Sequence, residues 1–434
     1  MRIRRVDWDG TDAAELVREL RAAAKKPEGL RERVAQIVAD VRERGDAAVR
    51  ELTGELDATE RMPERLHVSA DEVESALVEL DTDLRRALEL AATNIRAVAE
   101  AELAREPIKT RLPQGQEVSI VDRPVASAGA YAPGGRAAYP SSVLMTCIPA
   151  KVAGVDRVTL VSPPGPDGRI SAAMLAAAQV AGADEVHAVG GAQAIAALAY
   201  GTESIGAVDV VVGPGNSWVT EAKRQLYGRV GIEGLAGPSE LVVVADGFAD
   251  PREIALDALA QAEHGSDSPV VVICADRGQL DAIEADVRAL APGRPSVADA
   301  PFAFVEAPDL DRAVHLSDCF APEHLELRFE RAGAALAAER IAGCVFVGEA
   351  GATAFGDYVV GSNHVLPTGG AARFGAPLGV RVFRRRTSVV TVPSSAADEL
   401  AGAVDVIARA EGLPVHGESA LARARSENAD LQVD

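Results

Sequence analysis

Hydrophobic positions along this chain change their spacing twice. Up to about residue 105 they recur at intervals of three and four, as at Ile37 and Val41, with charges between them, which predicts helices. Ser69-Ala70-Asp71-Glu72 forms a capping box ahead of Val73, Leu77 and Leu80, and Asp12-Ala13-Ala14-Glu15 is a weaker one. From about 117 to 245, short β-branched runs stop at Gly or Pro and give way to Ala-rich helical stretches. The run 158–161 precedes Ser162-Pro163-Pro164, 186–189 ends in Gly190-Gly191, and 208–212 ends in Gly213-Pro214-Gly215-Asn216. Strands separated by helices predict a parallel sheet covered on both faces, with ligands beyond the carboxyl ends of the strands. A second alternating block, about 239 to 380, predicts strands at 241–245, 270–274, 302–305 and 344–347. A strand at 388–392, a final helix and a charged tail follow. Two blocks of similar size point to two doubly wound domains.

Charge narrows the partners. With 65 acidic against 44 basic residues the net charge is −21, which repels phosphate backbones and anionic membranes. The one basic run, Arg384-Arg385-Arg386 near Arg381, reads as a solvated face or local ion pairs. No apolar stretch of about 18 residues predicts a membrane span. Asp7 and Asp9 fall where a signal peptide needs an apolar run, so a soluble cytoplasmic protein is expected. Cys147, Cys274, Cys319 and Cys344 are far apart, lie among apolar residues and form no CxxC, which reads as buried thiols in a reducing compartment. Of the four, only Cys319 is near a candidate base, His324, in sequence.

Seven histidines are few enough to take singly. His264, His324, His364 and His416 stand in polar, Gly-rich or acidic contexts; His67, His187 and His315 read as structural. Pro322-Glu323-His324-Leu325-Glu326 sets a carboxylate beside an imidazole, whose ordinary pKa of roughly 6.5 suits proton transfer near neutrality. In Gln261-Ala262-Glu263-His264, Gln261 and His264 are three apart and share a helical face, while Glu263 points elsewhere. Asp357 and His364 flank a Gly-rich loop, and Glu411 and His416 follow one another at a helix end. Two histidines, an aspartate and a neutral amide oxygen are a sufficient N/O set for zinc, leaving Glu323 and His324 free for proton work. The Gly-rich turns, Tyr131-Ala132-Pro133-Gly134-Gly135 among them, do not match GxGxxG with a distal acid. Three of them in one block still favour a nucleotide or phosphate held by backbone amides and neutral side chains.

These segments, taken with Gly190-Gly191-Ala192-Gln193-Ala194-Ile195-Ala196, Ala236-Gly237-Pro238-Ser239-Glu240, Gly361-Ser362-Asn363-His364-Val365-Leu366-Pro367 and Glu411-Gly412-Leu413 with His416, resemble the histidinol dehydrogenase family over nearly the whole chain. The resemblance implies an α/β fold: two Rossmann-like doubly wound domains with smaller terminal segments, in an intertwined homodimer. It implies a helical arm at 1–25, a first Rossmann-like domain at 26–129 plus 239–382, a second, NAD-contacting one at 130–238, and a dimer-exchanging segment at 383–434. The implied reaction is oxidation of L-histidinol to L-histidine through a bound aldehyde, with two NAD and one zinc ion per subunit. By the resemblance, Gln261, His264, Asp357 and His416 bind zinc, and Tyr131, Gln193 and Asn216 contact NAD. Ser239, His364 and Glu411 hold the substrate, with the zinc ligands and His324 beside it. His324 is the general base, Glu323 activates water for the second step, and Glu411 and His416 reach into the partner's site. Some family members have a cysteine a little after the position of Ala150; here Val155 occupies that neighbourhood, so a covalent thiohemiacetal is not supported.

Two other classes use the same residues. A metal-dependent hydrolase could activate water with Glu323 and His324, but leaves the Gly-rich strand ends unexplained. A binding module without turnover would need no proton-transfer groups.

Overall fold

A computed structural model describes residues 1–21, 28–57, 60–63, 65–103, 107–134 and 137–424. Gly135, the last residue of one Gly-rich motif, and the charged tail after 424 lie outside these. The described residues form fifteen strands, numbered in chain order: β1 Arg2–Asp7, β2 His67–Val68, β3 Ile108–Arg111, β4 Glu117–Pro124, β5 Ser127–Tyr131, β6 Arg157–Ser162, β7 Glu185–Ala188, β8 Val210–Val212, β9 Gly231–Ile232, β10 Leu241–Ala245, β11 Val270–Cys274, β12 Pro301–Glu306, β13 His324–Arg328, β14 Cys344–Val347 and β15 Arg384–Thr391.

The chain divides into two compact units, one of Met1–Glu102 with Val125–Phe383, the other of Leu103–Pro124 with Arg384–Asp434. The larger unit holds two six-stranded sheets. One runs β1-β12-β11-β10-β13-β14 and is parallel throughout. The other runs β2-β7-β6-β5-β8-β9 and is parallel except where β2 meets β7. Each strand returns through a helix, as the alternating pattern predicts.

Residues 2–7, expected within a helical segment, form an edge strand instead. β1 lies parallel to β12 in register Ile3↔Phe302, and Met1 and Ile3 pack on the core around Val270 and Phe302. The helices Leu30–Arg44 and Asp46–Leu56 do form. Their Val34, Ile37, Val41 and Val49 share one core with Val211 of the second sheet and Ile195 of the helix Gly191–Tyr200. The first sheet buries Val243 and Val272 against Ile254 and Ala258 on one face, and Val242 and Val244 against Leu316 and Phe320 on the other.

In the smaller unit, β15-β4-β3 is an antiparallel sheet, and the helix Ser394–Ala410 packs against the helix Pro414–Leu421. Arg386 pairs with Asp122 across β15 and β4 at 2.9 Å, so the basic run is in part the ion-paired start of a strand. Among the described residues no helix is long and apolar enough to cross a membrane.

Candidate active site

The two sheets of the larger unit offer opposite edges. In the second sheet the Gly-rich turns lie at the carboxyl ends of the strands, as expected: Tyr131 closes β5, Gly190 follows β7 and Gly213 follows β8. In the first sheet the candidate acid–base residues lie at the amino ends. Glu323 immediately precedes β13, and Ser239 and Glu240 precede β10. Gln261 stands in the last turn of the helix Pro251–Ala262, which runs back to the same edge before β11.

His324 is the first residue of β13 and is 3 % exposed. The turn into it passes through Ala321 in the left-handed region (φ 47°), a conformation that costs a non-glycine residue energy and aims the following segment. Its Nδ1 lies 3.5 Å from Glu323 Oε2 and its Nε2 3.5 Å from Asp357 Oδ1. Burial alone would lower the pKa of the ring, but the flanking carboxylates of Glu323 and Asp357 outweigh it and raise the pKa well above that of a free histidine. The proximity of His324, together with that of His364 and His264, holds Asp357 below the ordinary carboxylate range despite its burial.

Glu323 is fixed from its other side. Its Oε2 accepts the Ser239 hydroxyl and, at 2.9 Å, the backbone N–H of Glu240. The amide of Gln261 donates to Ser239 Oγ at 2.9 Å. Gln261 is 2 % exposed, and its Oε1 has no hydrogen-bond partner among the described residues.

The two neighbouring histidines have assigned tautomers. His264 Nδ1 faces the carbonyl of Gln261 at 3.2 Å and must donate, so in the neutral ring Nε2 carries the lone pair. His364 Nδ1 donates to the carbonyl of Asp357 at 2.9 Å, so its Nε2 accepts from Ser142 Oγ at 3.1 Å. Burial keeps His364 below the usual histidine pKa, favouring this neutral form.

A divalent ion fits this donor set in part. An orphaned amide oxygen, an outward imidazole nitrogen and a carboxylate are nitrogen and oxygen ligands of the kind zinc accepts. Among the described residues no three His, Cys, Asp or Glu side chains are clustered tightly enough to hold a metal by themselves. Glu411 and His416 belong to the smaller unit, where both are exposed, at the end of the helix Ser394–Ala410 and in the helix Pro414–Leu421.

At the second sheet, Tyr131 and Gln193 are buried together beyond β5 and β7. The Tyr131 hydroxyl accepts the Gly191 N–H at 3.4 Å, and Gln193 Nε2 donates to Asp57 Oδ2 at 3.3 Å. Asp57 also takes the Gly190 N–H, and burial raises its pKa to about 6. Asn216 caps its own helix, its Oδ1 accepting from Trp218 and Val219 at 3.0 and 3.2 Å. First-turn amides at two of the three Gly-rich turns are thus engaged by side chains of the protein. A groove of about 1100 Å³ runs along this edge past Gly134, Ser162 and Ala188.

Several residues here carried no sequence signal. Asp57 is one. Lys223 and Glu233 are a buried pair (2.7 Å) that holds both poles of the Gly213 peptide groups: Lys223 Nζ donates to Gly213 O at 2.6 Å, and Glu233 Oε1 accepts Gly213 N–H at 2.7 Å. Gly213 needs this help because its φ of 120° brings the turn against the Tyr131 carbonyl, where a Cβ would collide. Arg21 forks onto Glu240 at 2.9 and 3.1 Å, bracing the segment that feeds Glu323. The thiol nearest His324 is Cys344, its register partner on β14, and not Cys319, whose Sγ instead faces His315 at 3.5 Å.

An imidazole set between carboxylates moves protons, and doubly wound sheets with Gly-rich strand ends are the architecture of an α/β oxidoreductase. The family model for histidinol dehydrogenase matches residues 20–424. Histidinol dehydrogenase from Synechococcus sp. is 44% identical over 91% of this chain and 92% of its own length, and that from Pseudomonas syringae pv. tomato is 43% identical over 96% and 95%. The crystal structure of histidinol dehydrogenase from Elizabethkingia anophelis superposes with a TM-score of 0.89 at 30% identity, covering 98% of each chain. The chain belongs to the histidinol dehydrogenase family.

Proposed function

We propose that this protein oxidises L-histidinol to L-histidine in two steps with two NAD, through an aldehyde that stays bound, and that it does so with one zinc ion per subunit. The observation that carries the reading is His324, buried between Glu323 and Asp357 at 3.5 Å from each, with Glu323 linked through Ser239 to Gln261, whose side-chain oxygen has no partner among the described residues.

Oxidising an alcohol requires a base for the hydroxyl proton as a hydride leaves carbon for the nicotinamide. His324 is that base, and Glu323 and Asp357 stabilise the cation it becomes. For the ring to start neutral, one carboxylate has to be engaged elsewhere; Asp357, read here as a metal ligand, is the one a bound ion would engage while its helix stays in place beside His324. The aldehyde must be hydrated before its own oxidation. Glu323, whose Oε2 already accepts the Ser239 hydroxyl and the Glu240 N–H, is the base that activates this water.

Gln261, His264, Asp357 and His416 would hold zinc. Bound there, the ion would supply an electrostatic anchor for nitrogen donors of the substrate, and the ligand residues would thereby hold the substrate near His324. Ser239, His364 and Glu411 orient the substrate, and Tyr131, Gln193 and Asn216 contact NAD. Glu411 and His416 come from the partner subunit of a homodimer. Their exposure supports this, as do the exposed Val390, Val406 and Val415 of the same unit, which a second copy would cover. The setting is cytoplasmic.

Histidinol-dependent NADH formation by zinc-loaded protein, lost on chelation and restored by zinc, is the expected result. Full-rate turnover by metal-free protein would remove zinc from the account, and absence of any turnover by the loaded dimer would remove the activity.

A further inference from the structure

β13 is a fully buried strand, yet every residue on one of its faces is ionisable. Its register with β10, His324 opposite Leu241, Glu326 opposite Val243 and Arg328 opposite Ala245, puts these three on the face covered by the helix Pro251–Ala262. Leu325 and Leu327 fill the other face. Glu326 is 0 % exposed. A leucine there would pack with Val243 at no polar cost, whereas a buried carboxylate is expensive unless it is bonded.

Glu326 spends its Oε1 on one residue. It accepts the backbone N–H of Thr353 at 2.9 Å and the Thr353 hydroxyl at 2.8 Å. Thr353 opens the short helix Thr353–Tyr358, whose N-cap is Ala352 and supplies no side-chain acceptor. Arg328 holds the preceding loop, donating to the carbonyl of Gly348 at 2.9 Å and to that of Glu349. This helix has little apolar grip of its own: of its six residues only Thr353 and Gly356 are buried, while Phe355 and Tyr358 are exposed. One turn after Thr353 comes Asp357, whose carboxylate faces His324 and whose carbonyl takes His364.

We infer that Glu326, with Arg328 behind it on the same strand, is a positioning residue that fixes the helix bearing Asp357 against His324. The inference rests on the reading of His324 and Asp357 as parts of the reaction site. Two side chains along one strand, the ring at 324 and the carboxyl group at 326, then set the separation of His324 and Asp357 through the strand and the bonds to Thr353. Burial, with the nearby charge of Asp257, raises the Glu326 pKa to about 8, so at neutrality its bonds to Thr353 are those of a largely protonated group that glutamine can mimic.

The test compares Glu326→Ala, Glu326→Gln, Thr353→Val and Leu327→Ala in the zinc-loaded dimer, with His324→Asn assayed alongside. Glu326→Ala should lower kcat about 10- to 100-fold, the scale of a small misplacement at a reacting centre, with KM for NAD unchanged. Glu326→Gln, which keeps an acceptor for Thr353, should recover kcat to within about three-fold, and Thr353→Val should fall between. Leu327→Ala, a cavity on the opposite face, should lower Tm without the loss in kcat. A folded Glu326→Ala with wild-type kcat, or a Glu326→Gln as slow as the alanine variant, overturns the inference. Should Glu326→Ala not fold, unchanged kcat in Thr353→Val overturns it. If His324→Asn turns over normally, the reading of the site has failed; if it is inactive while Glu326→Ala is unaffected, only the positioning role has.

Discussion

The side-chain amide of Gln261 donates to Ser239 Oγ at 2.9 Å and leaves its own oxygen buried without a partner. An unmade hydrogen bond of this kind costs roughly 1–3 kcal/mol, which a protein retains where the atom has work to do. Gln261→Met removes the orphan while nearly preserving volume. Its metal-free form should melt at or above the wild-type temperature, while zinc affinity falls by about 10- to 100-fold. Unchanged affinity by metal titration would remove Gln261 from the ligand set.

Glu326 gives a signed dependence of stability on pH. Its pKa is near 8 when folded against an ordinary 4.5. Between those values the unfolded chain binds fewer protons there than the folded one, so this group's contribution to stability declines as pH rises through the window. Glu326→Gln abolishes the titration. Denaturant curves from pH 5 to 8 should show the variant gaining on wild type as pH increases; parallel curves would show that Glu326 does not hold its proton.

Cysteine chemistry is not expected. Burial raises the Cys147 thiol to about 12 and also raises Cys344, the thiol paired in register with His324. Neither is poised as a thiolate. Cys344→Ala should keep turnover within about three-fold of wild type, because an inert thiol contributes packing only. Loss of the aldehyde step in that variant would reopen covalent catalysis.

A variant at Glu323 should separate the two proposed half-reactions. Glu323→Gln keeps an acceptor for Ser239 but cannot take a proton from water. Histidinol should still reduce NAD, more slowly, while aldehyde oxidation drops by about 10² to 10⁴, the range for loss of a general base. Quenched and denatured samples should yield the aldehyde that the variant retains. Equal slowing of both steps would assign Glu323 to orienting His324 and nothing more.

Much of the fold was legible because the strands concerned are apolar throughout. The runs at 241–245 and 270–274 coincide with β10 and β11. β13 was not legible as a strand, because His324, Glu326 and Arg328 interrupt its apolar run with charges that tertiary bonds satisfy. β1 was hidden by its arginines, which an edge strand tolerates and a periodicity reading assigns to a helix face. Candidate site residues stood out where unusual types adjoin, as Glu323 and His324 do. Pairings that depend on the return of a distant segment did not: Asp357 onto His324, Asp57 onto Gln193, and Lys223 with Glu233 onto Gly213 are set by sheet order and packing, which residue type alone does not encode.

The most direct test of the central claim is the pre-steady-state rate of NADH formation from histidinol in His324→Asn, with zinc content and NAD binding measured on the same preparation. A fall of about 10² to 10⁴ in that rate is expected, with metal and dinucleotide bound as in wild type. A rate close to wild type in such a fully loaded variant would contradict it.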